Sequence, residues 1–195
     1  MVDMKQTIQS VSIDLFHRKG YFATSISDIA KGCGIQKASI YYHFSSKEEL
    51  LFQIMNKTMS DLLVHLQSGL RGVRDIEKKV RAAVSGHVQF HLNRQKENFI
   101  ANSELRGLTP EHYEHIVAMR DDYERIFQSL ITDGKTAGIF ADVDVKILSY
   151  AILALCTSGA FWYRPKGRLA VAEIAAIYEN FIIRGLRNGT LSPSG

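Results

Sequence analysis

The stretch "GCGIQKASIYYHF", residues 32 to 44, decides how the chain is read. Its opening, Gly-x-Gly-x-x-Lys, stops one residue short of a dinucleotide-binding fingerprint, and no strand or βαβ unit surrounds it to aim such a loop at phosphates. What precedes it is Ser25-Ile26-Ser27-Asp28, which has the spacing of a helix-capping box with aspartate in place of glutamate. The stretch therefore reads as a turn between two helices. Ala30 is small where two helices cross. Gly34, four residues on, suits a turn position with positive φ. Ile40, six residues further, falls on the inner face of the second helix, and Ile29 and Ile35 close the same small core. These are the packing requirements of a helix-turn-helix, and an arbitrary helical hairpin shares them. The outward face separates the two readings. It carries Gln36, Lys37, Ser39, Tyr42 and His43, with Ala38 small enough for close approach. A merely solvated face favours glutamate and lysine over Tyr41-Tyr42-His43. Phenol hydroxyls and an imidazole donate to phosphate oxygens, and Lys37 reaches the acceptors of guanine.

Outward from this stretch the pattern stays helical. Ile8, Val11, Leu15 and Phe16 fall at helical intervals and Gly20 ends the run. Ser45 and Ser46 offer overlapping capping boxes before a long helix that reaches about Gly69. Further helices are expected from Asp75 to about Asn93 and from about Lys96 to Arg106. Thr109-Pro110-Glu111 is a strong start for a helix running to about Thr136, with Gly134 and Gly138 as stop signals. Asp142 or Asp144 opens an uncharged helix, "RPKGR" breaks it, and a last helix spans about Val171 to Arg187. No tract alternates as a strand does. The expected fold is all-α with about nine helices: a small N-terminal helix-turn-helix unit over residues 1–46, continuous with a larger helical bundle over residues 47–195.

Composition bounds the function. The 195 residues are 46% hydrophobic and 23% charged, with three prolines and 14 glycines, which fits a folded chain with a sizeable core. The net charge of +4 leans weakly toward anionic partners. Cys33 and Cys156 lie far apart without ligand spacing and read as reduced thiols in a cytoplasmic protein. The N-terminal "MVDMKQTIQS" has no apolar core of a secretory signal. The longest uncharged run, Ile147 to Tyr163, falls short of the roughly 20 mostly apolar residues of a spanning helix and reads as a helix buried in protein, with no membrane partner. Asn56-Lys57-Thr58 and Asn188-Gly189-Thr190 match a glycosylation triplet by chance.

Residues 20 to 51, "GYFATSISDIAKGCGIQKASIYYHFSSKEELL", resemble the DNA-binding segment of the TetR family of bacterial transcriptional regulators. The Gly-Tyr entry, the capped Asp-Ile-Ala helix, the Tyr-Tyr-His-Phe and the Ser-Lys-Glu agree in order and spacing; Cys33 stands where alanine is commoner. The resemblance implies a third helix in the major groove of an operator duplex, with Lys37, Ala38 and Ser39 nearest the bases beside Gln36. It implies phosphate contacts from Ser25, Tyr41, Tyr42, His43 and Lys47. Residues 1 to 50 hold six basic and five acidic residues, so one copy binds weakly and two are needed for specific affinity.

The uncharged helix and the last helix (Ile174, Ile177, Tyr178, Phe181, Ile182, Leu186) each offer more apolar surface than one contact face needs. Pairing them across a two-fold axis would bury it. The resemblance implies the same two helices as a homodimer interface. Between Phe90 and Phe127, apolar and polar residues share helical intervals. Phe99, Leu105, Tyr113, Met119, Tyr123 and Phe127 could line an effector cavity, with Asn102, Glu104, Arg106 and Arg120 near its mouth; ordinary core and surface is the alternative for each. In "GAFWYRPKGRL", residues 159 to 169, Arg164, Lys166 and Arg168 follow Trp162 without an intervening acid. An aromatic plane beside guanidinium groups suits adenine and phosphates. A basic inter-helix loop with Trp162 in the dimer interface is the alternative. This segment and "SELRGLTPEHY" resemble a TetR subgroup that controls lipid and steroid degradation and answers to acyl-CoA thioesters. The effector class expected is therefore an acyl-CoA or fatty acid.

No catalytic constellation, metal site or cofactor motif is expected. His87 and His91 share a helical face but lack the glutamate of a zinc hydrolase, and they read, like His112 and His115, as surface or half-buried residues. No nucleophile elbow, phosphate loop or Cys-His pair is present. An all-helical hydrolase would reveal itself by turnover without DNA binding. A ligand-sequestering protein would bind a small molecule and no DNA.

Overall fold

The computed structural model describes residues 3 to 188; Gly189 and Thr190 of the second glycosylation triplet lie outside them. Among the described residues the regular structure is helical: α1 (Met4–Lys19), α2 (Ile26–Cys33), α3 (Lys37–His43), α4 (Lys47–Leu70), α5 (Ile76–Asn93), α6 (Gln95–Ser103), α7 (Pro110–Thr136), α8 (Val145–Trp162) and α9 (Val171–Asn188), with a short 3-10 turn at Leu105–Gly107. The helices group into two compact units. One takes the described residues up to 60 with residues 94–118; the other takes residues 61–93 with those from 119 onward.

In the first unit, Gly20 caps α1 with φ 82° and its N–H reaches the Phe16 carbonyl. Ser25 caps α2 in a complete capping box: its Oγ accepts from the Asp28 N–H, and the Asp28 carboxylate accepts from the Ser25 N–H. The α2–α3 turn is a Schellman motif. Ile35 N–H bonds the Ala30 carbonyl at 3.0 Å and Gly34 N–H the Lys31 carbonyl at 3.2 Å, with Gly34 at φ 68°. α1 and α2 approach closely at Gly32, where a Cβ would stand 2.7 Å from Val11 Cγ1. Ile8, Phe16, Ile29, Ala30, Ile40 and Phe44 form the small core. Ser46 starts α4 by accepting the Glu49 N–H at 2.9 Å.

In the second unit α5 is central, buried along Val80, Ala83, Val84, His87, Val88 and Leu92, and it packs against α8 and α9. Asp144, the second of the two expected starts, caps α8 by accepting from Ile147 N–H. α9 turns Ile174, Ala175, Ile182, Ile183 and Leu186 inward.

Three expectations are corrected. The helix expected to reach Arg106 ends at Ser103, because Glu104 leaves the helical path and its carboxylate accepts the Tyr21 N–H at 3.3 Å. His87 and His91 are buried rather than surface residues, at 3% and 4% exposure. Finally, α8 is not the buried helix expected: only 22% of it is buried within the chain, while its length and apolar composition alone do not make it a membrane span. Its apolar residues run around the whole helix. Ser149, Ile152, Cys156 and Gly159 face inward, while Ile147, Tyr150, Leu155, Phe161 and Trp162 remain open.

Candidate nucleic-acid interface

α3 is held from behind and open in front. Ile40 and Phe44 are 0% and 1% exposed, and Phe44 N–H closes the helix on the Ile40 carbonyl at 3.0 Å. Lys5 places its ammonium 5.5 Å from the Phe44 ring. On the other side Tyr42 is 86% exposed and Tyr41 48%. Gln36, Lys37 and Ala38 are exposed, and Ser39 and His43 half-buried. Lys37 Nζ lies 6.0 Å from the Tyr41 ring, and the Tyr42 and His43 rings meet edge to face at 5.0 Å. The face thus offers one cation, two phenols, a hydroxyl, an amide and an imidazole around one small residue.

Two of the expected phosphate residues have internal partners. Ser25 Oγ lies 2.7 Å from Asp28 Oδ2; the Ser25 backbone N–H first, and this side-chain bond second, hold the Asp28 carboxyl below its ordinary range. Lys47 Nζ donates to the carbonyls of Tyr21 and Thr24 at 3.0 and 2.9 Å and sits 4.2 Å from the Tyr21 ring. Burial pushes the Lys47 ammonium's pKa down. Both residues fix the α1–α2 turn, so α2 enters at a set angle; two of the three Lys47 donors serve that purpose.

The residues expected at an effector site divide between the units. Phe99, Asn102 and Arg106 belong to the first. Phe99 is half-buried, edge to face with His17 at 5.2 Å; Asn102 and Arg106 are exposed. Arg120, Tyr123, Phe127, Trp162, Arg164 and Arg168 belong to the second. Tyr123 and Phe127 are buried, Arg120 half-buried, and Trp162, Arg164 and Arg168 exposed.

Tyr123 and Phe127 surround a polar cluster that the sequence reading did not assemble. His87 Nδ1 lies 2.9 Å from Tyr123 Oη and its Nε2 3.0 Å from Thr157 Oγ1. The His91 ring is 4.2 Å from that of His87, and Phe127 meets His87 edge-on. Burial, with His91 second, pulls His87 well below the ordinary imidazole range. Burial and the charge of Arg120 bring His91 to about 4. Burial raises the Tyr123 phenol and carries the Cys156 thiol up to about 12. Nearby, the buried Glu124 accepts from Ser149 Oγ at 2.8 Å. The i, i+4 pairing of His87 and His91 was the available signal, but periodicity alone cannot say which side of a helix faces in.

Along the open side of α8 and α9 runs an apolar groove of about 220 Å³, lined by residues including Leu148, Ile152, Leu155, Phe181 and Ile182. In the first unit, Glu48, Glu49 and His112 bring metal-type ligand atoms within 4.8 Å of one another. There Glu48 Oε1 already accepts from Thr109 N–H and pairs with His112 Nδ1 at 2.8 Å, and Phe52 stacks on His112 at 3.7 Å. Those bonds account for the grouping as a helix–helix seam.

Known proteins share both halves of this arrangement. The family model described as bacterial regulatory proteins, tetR family, matches residues 8–54, and that of the tetracyclin repressor-like C-terminal domain matches residues 73–186. The HTH-type transcriptional repressor KstR2 of Rhodococcus jostii is 24% identical over 178 residues, covering 90% of this chain and 87% of that protein. A bacterial regulatory protein in the tetR family from Rhodococcus RHA1 superposes with a TM-score of 0.89 at 25% identity, covering 95% of this chain and 98% of that one. The regulator AibR, solved with isovaleryl coenzyme A and operator DNA, gives a TM-score of 0.84 at 26% identity, covering 92% and 97%.

Proposed function

Because this chain belongs to the tetR family of bacterial regulatory proteins, we propose that it is a ligand-responsive repressor whose α3 enters the major groove of a palindromic operator. The observation that carries the interface is the α3 face, anchored by Ile40 and Phe44 and open at Lys37, Tyr41 and Tyr42. Lys37, Ala38 and Ser39 stand nearest the bases with Gln36 beside them, and Tyr41, Tyr42 and His43 meet phosphates. Ser25 and Lys47 act first by fixing the turn, and the remaining Lys47 donor is left for a phosphate. In this reading residues 1–46 bind DNA, and residues 47–195 bind the effector and dimerise.

The dimer forms through α8 and α9. Ile147, Phe161, Ile177 and Phe181 are each more than half exposed in the single chain, which supports a second copy as their cover. Two copies would set their α3 helices roughly 34–36 Å apart, on successive major grooves. An effector would favour a state in which α4 tilts and that spacing is lost, through its differential affinity for the two states. Exposed Trp162 beside Arg164, Lys166 and Arg168, together with the AibR complex, supports an acyl-CoA thioester or fatty acid as effector. We assign no catalytic role and place the protein in the cytoplasm with its operator.

Selection of binding sites from random duplexes tests the reading. Enrichment of an inverted repeat with half-sites one helical turn apart is expected, and no enriched sequence would overturn it. For the effector, a panel of acyl-CoA thioesters and free fatty acids should contain a member that releases the selected duplex; a panel with none overturns the acyl-CoA assignment.

A further inference from the structure

We propose that the elbow between α6 and α7, Glu104–Gly107, is a positioning clasp for the helix-turn-helix, with Glu104 and Gly107 setting where Tyr21 comes to rest. The proposal rests on reading α3 as the recognition helix and adds residues that touch no DNA. Two contacts tie α6 along α1, and a third follows at the elbow. Lys96 Nζ meets Asp14 Oδ1 at 2.6 Å, the Phe99 and His17 rings meet at 5.2 Å, and the elbow ends on Tyr21.

Two features make that last contact more than core packing. First, Glu104 Oε1 accepts the backbone N–H of Tyr21, so displacing the elbow acts on the main chain that leads four residues later to the Ser25 cap of α2. Second, Gly107 lies so close that a Cβ would be 2.7 Å from two Tyr21 ring carbons and 2.8 Å from Leu51 Cδ2. Tyr21 is 5% exposed and Leu51 0%, so neither has solvent to move into. Lys47 in turn holds the carbonyls of Tyr21 and Thr24 and covers the Tyr21 ring. Tyr21 is thus held by both the elbow and the first residue of α4.

The test uses full-length Gly107→Ala, Glu104→Ala and Glu104→Gln, compared with the parent protein. Amide exchange across residues 20–26 is read without DNA. Affinity for the selected operator and for an unrelated duplex is read at matched salt. Gly107→Ala and Glu104→Ala should exchange faster in that window and bind the operator roughly five- to tenfold more weakly, with unrelated DNA bound as before. Glu104→Gln keeps an acceptor oxygen and should restore both readouts. General destabilisation would lower the active fraction without separating glutamine from alanine at position 104. Should Gly107→Ala fail to fold, the two Glu104 variants decide. Parent-like exchange and operator affinity in both alanine variants would overturn the clasp, as would failure of glutamine to restore what alanine loses. If no operator can be selected, the α3 reading has failed, and the exchange window alone still decides the clasp.

Discussion

The outward face of α3 and the outward faces of α8 and α9 both stand open to solvent, but they leave different things unsatisfied. On α3 the exposed aromatics are tyrosines, each with a hydroxyl, next to a lysine and an imidazole; every large group ends in a polar atom. On α8 and α9 most of the exposed large groups, Ile147, Leu155, Phe161, Ile177 and Phe181, end in carbon, with Tyr150 and Trp162 the exceptions. Water satisfies the first surface as it stands. It cannot satisfy the second, whose burial is worth about 25 cal/mol per Å². Exposure alone therefore identifies no partner. The chemistry at the tips separates the two faces, and it supports the proposal of a polyanion for one face and a second copy of the chain for the other.

The sharpest way to break this contrast is to put a charge on the carbon-tipped face. Phe181→Asp would bury an unpaired carboxylate in a two-fold interface twice over, at a cost of about 3–5 kcal/mol. The variant should run as a monomer in sedimentation and lose operator affinity by at least about 100-fold, since one α3 alone is a weak binder. A dimeric Phe181→Asp with parent-like operator affinity would mean that α8 and α9 are covered by something else.

Interface loss must be separated from core loss, and the core has its own signature. His87 and His91 are buried neutral, with proton affinity pulled down in the folded state. Below an unfolded value of about 6.5 the unfolded chain binds more protons, so stability is complete above that pH and drains as pH falls toward 4. His91 at about 4 accounts for roughly 3 kcal/mol of this loss, to which His87 adds. Urea midpoints taken between about pH 7.5 and about pH 4.5 should fall steeply. A flat profile would mean that these imidazoles reach water. Phe181→Asp should keep the parent's slope, because its charge lies outside the core.

Much of the contrast was legible in the sequence. Local chemistry writes caps directly into residue order, so Ser25, Ser46, Thr109 and the glycines at 20 and 34 located helix starts and ends. The α3 face was legible because a seven-residue helix with Ile40 inward leaves little choice for its neighbours. What stayed hidden depends on contacts distant in sequence. Nothing local marks Glu104 as the acceptor for Tyr21, so α6 looked longer than it is. Nothing in a His-x-x-x-His spacing says that Tyr123 and Thr157 wait on the inside. Lys47 looked like a free cation because its two carbonyl partners are more than 20 residues away.

Within the α3 face, Lys37 should dominate discrimination. If Lys37 reads base acceptors as proposed, Lys37→Ala should cost about 1–3 kcal/mol of operator affinity while blurring preference at one or two base pairs. In a titration at fixed salt, equal weakening on operator and unrelated DNA would reassign Lys37 to a phosphate.

Tyr42 tests the smallest difference between the two faces, a single oxygen. Tyr42→Phe keeps the ring and its edge contact with His43 but turns a polar tip into a carbon one. If the hydroxyl serves a phosphate, the variant should lose about 0.5–1.5 kcal/mol on operator and unrelated duplex alike, with base preference unchanged. The fold should not notice, because at 86% exposure the ring supports nothing beneath it. A loss confined to the operator would move Tyr42 from the backbone to a base edge. No loss at all would leave the most exposed aromatic of the DNA-binding unit without a partner, and the polar-tip criterion would then fail at the residue that displays it most openly.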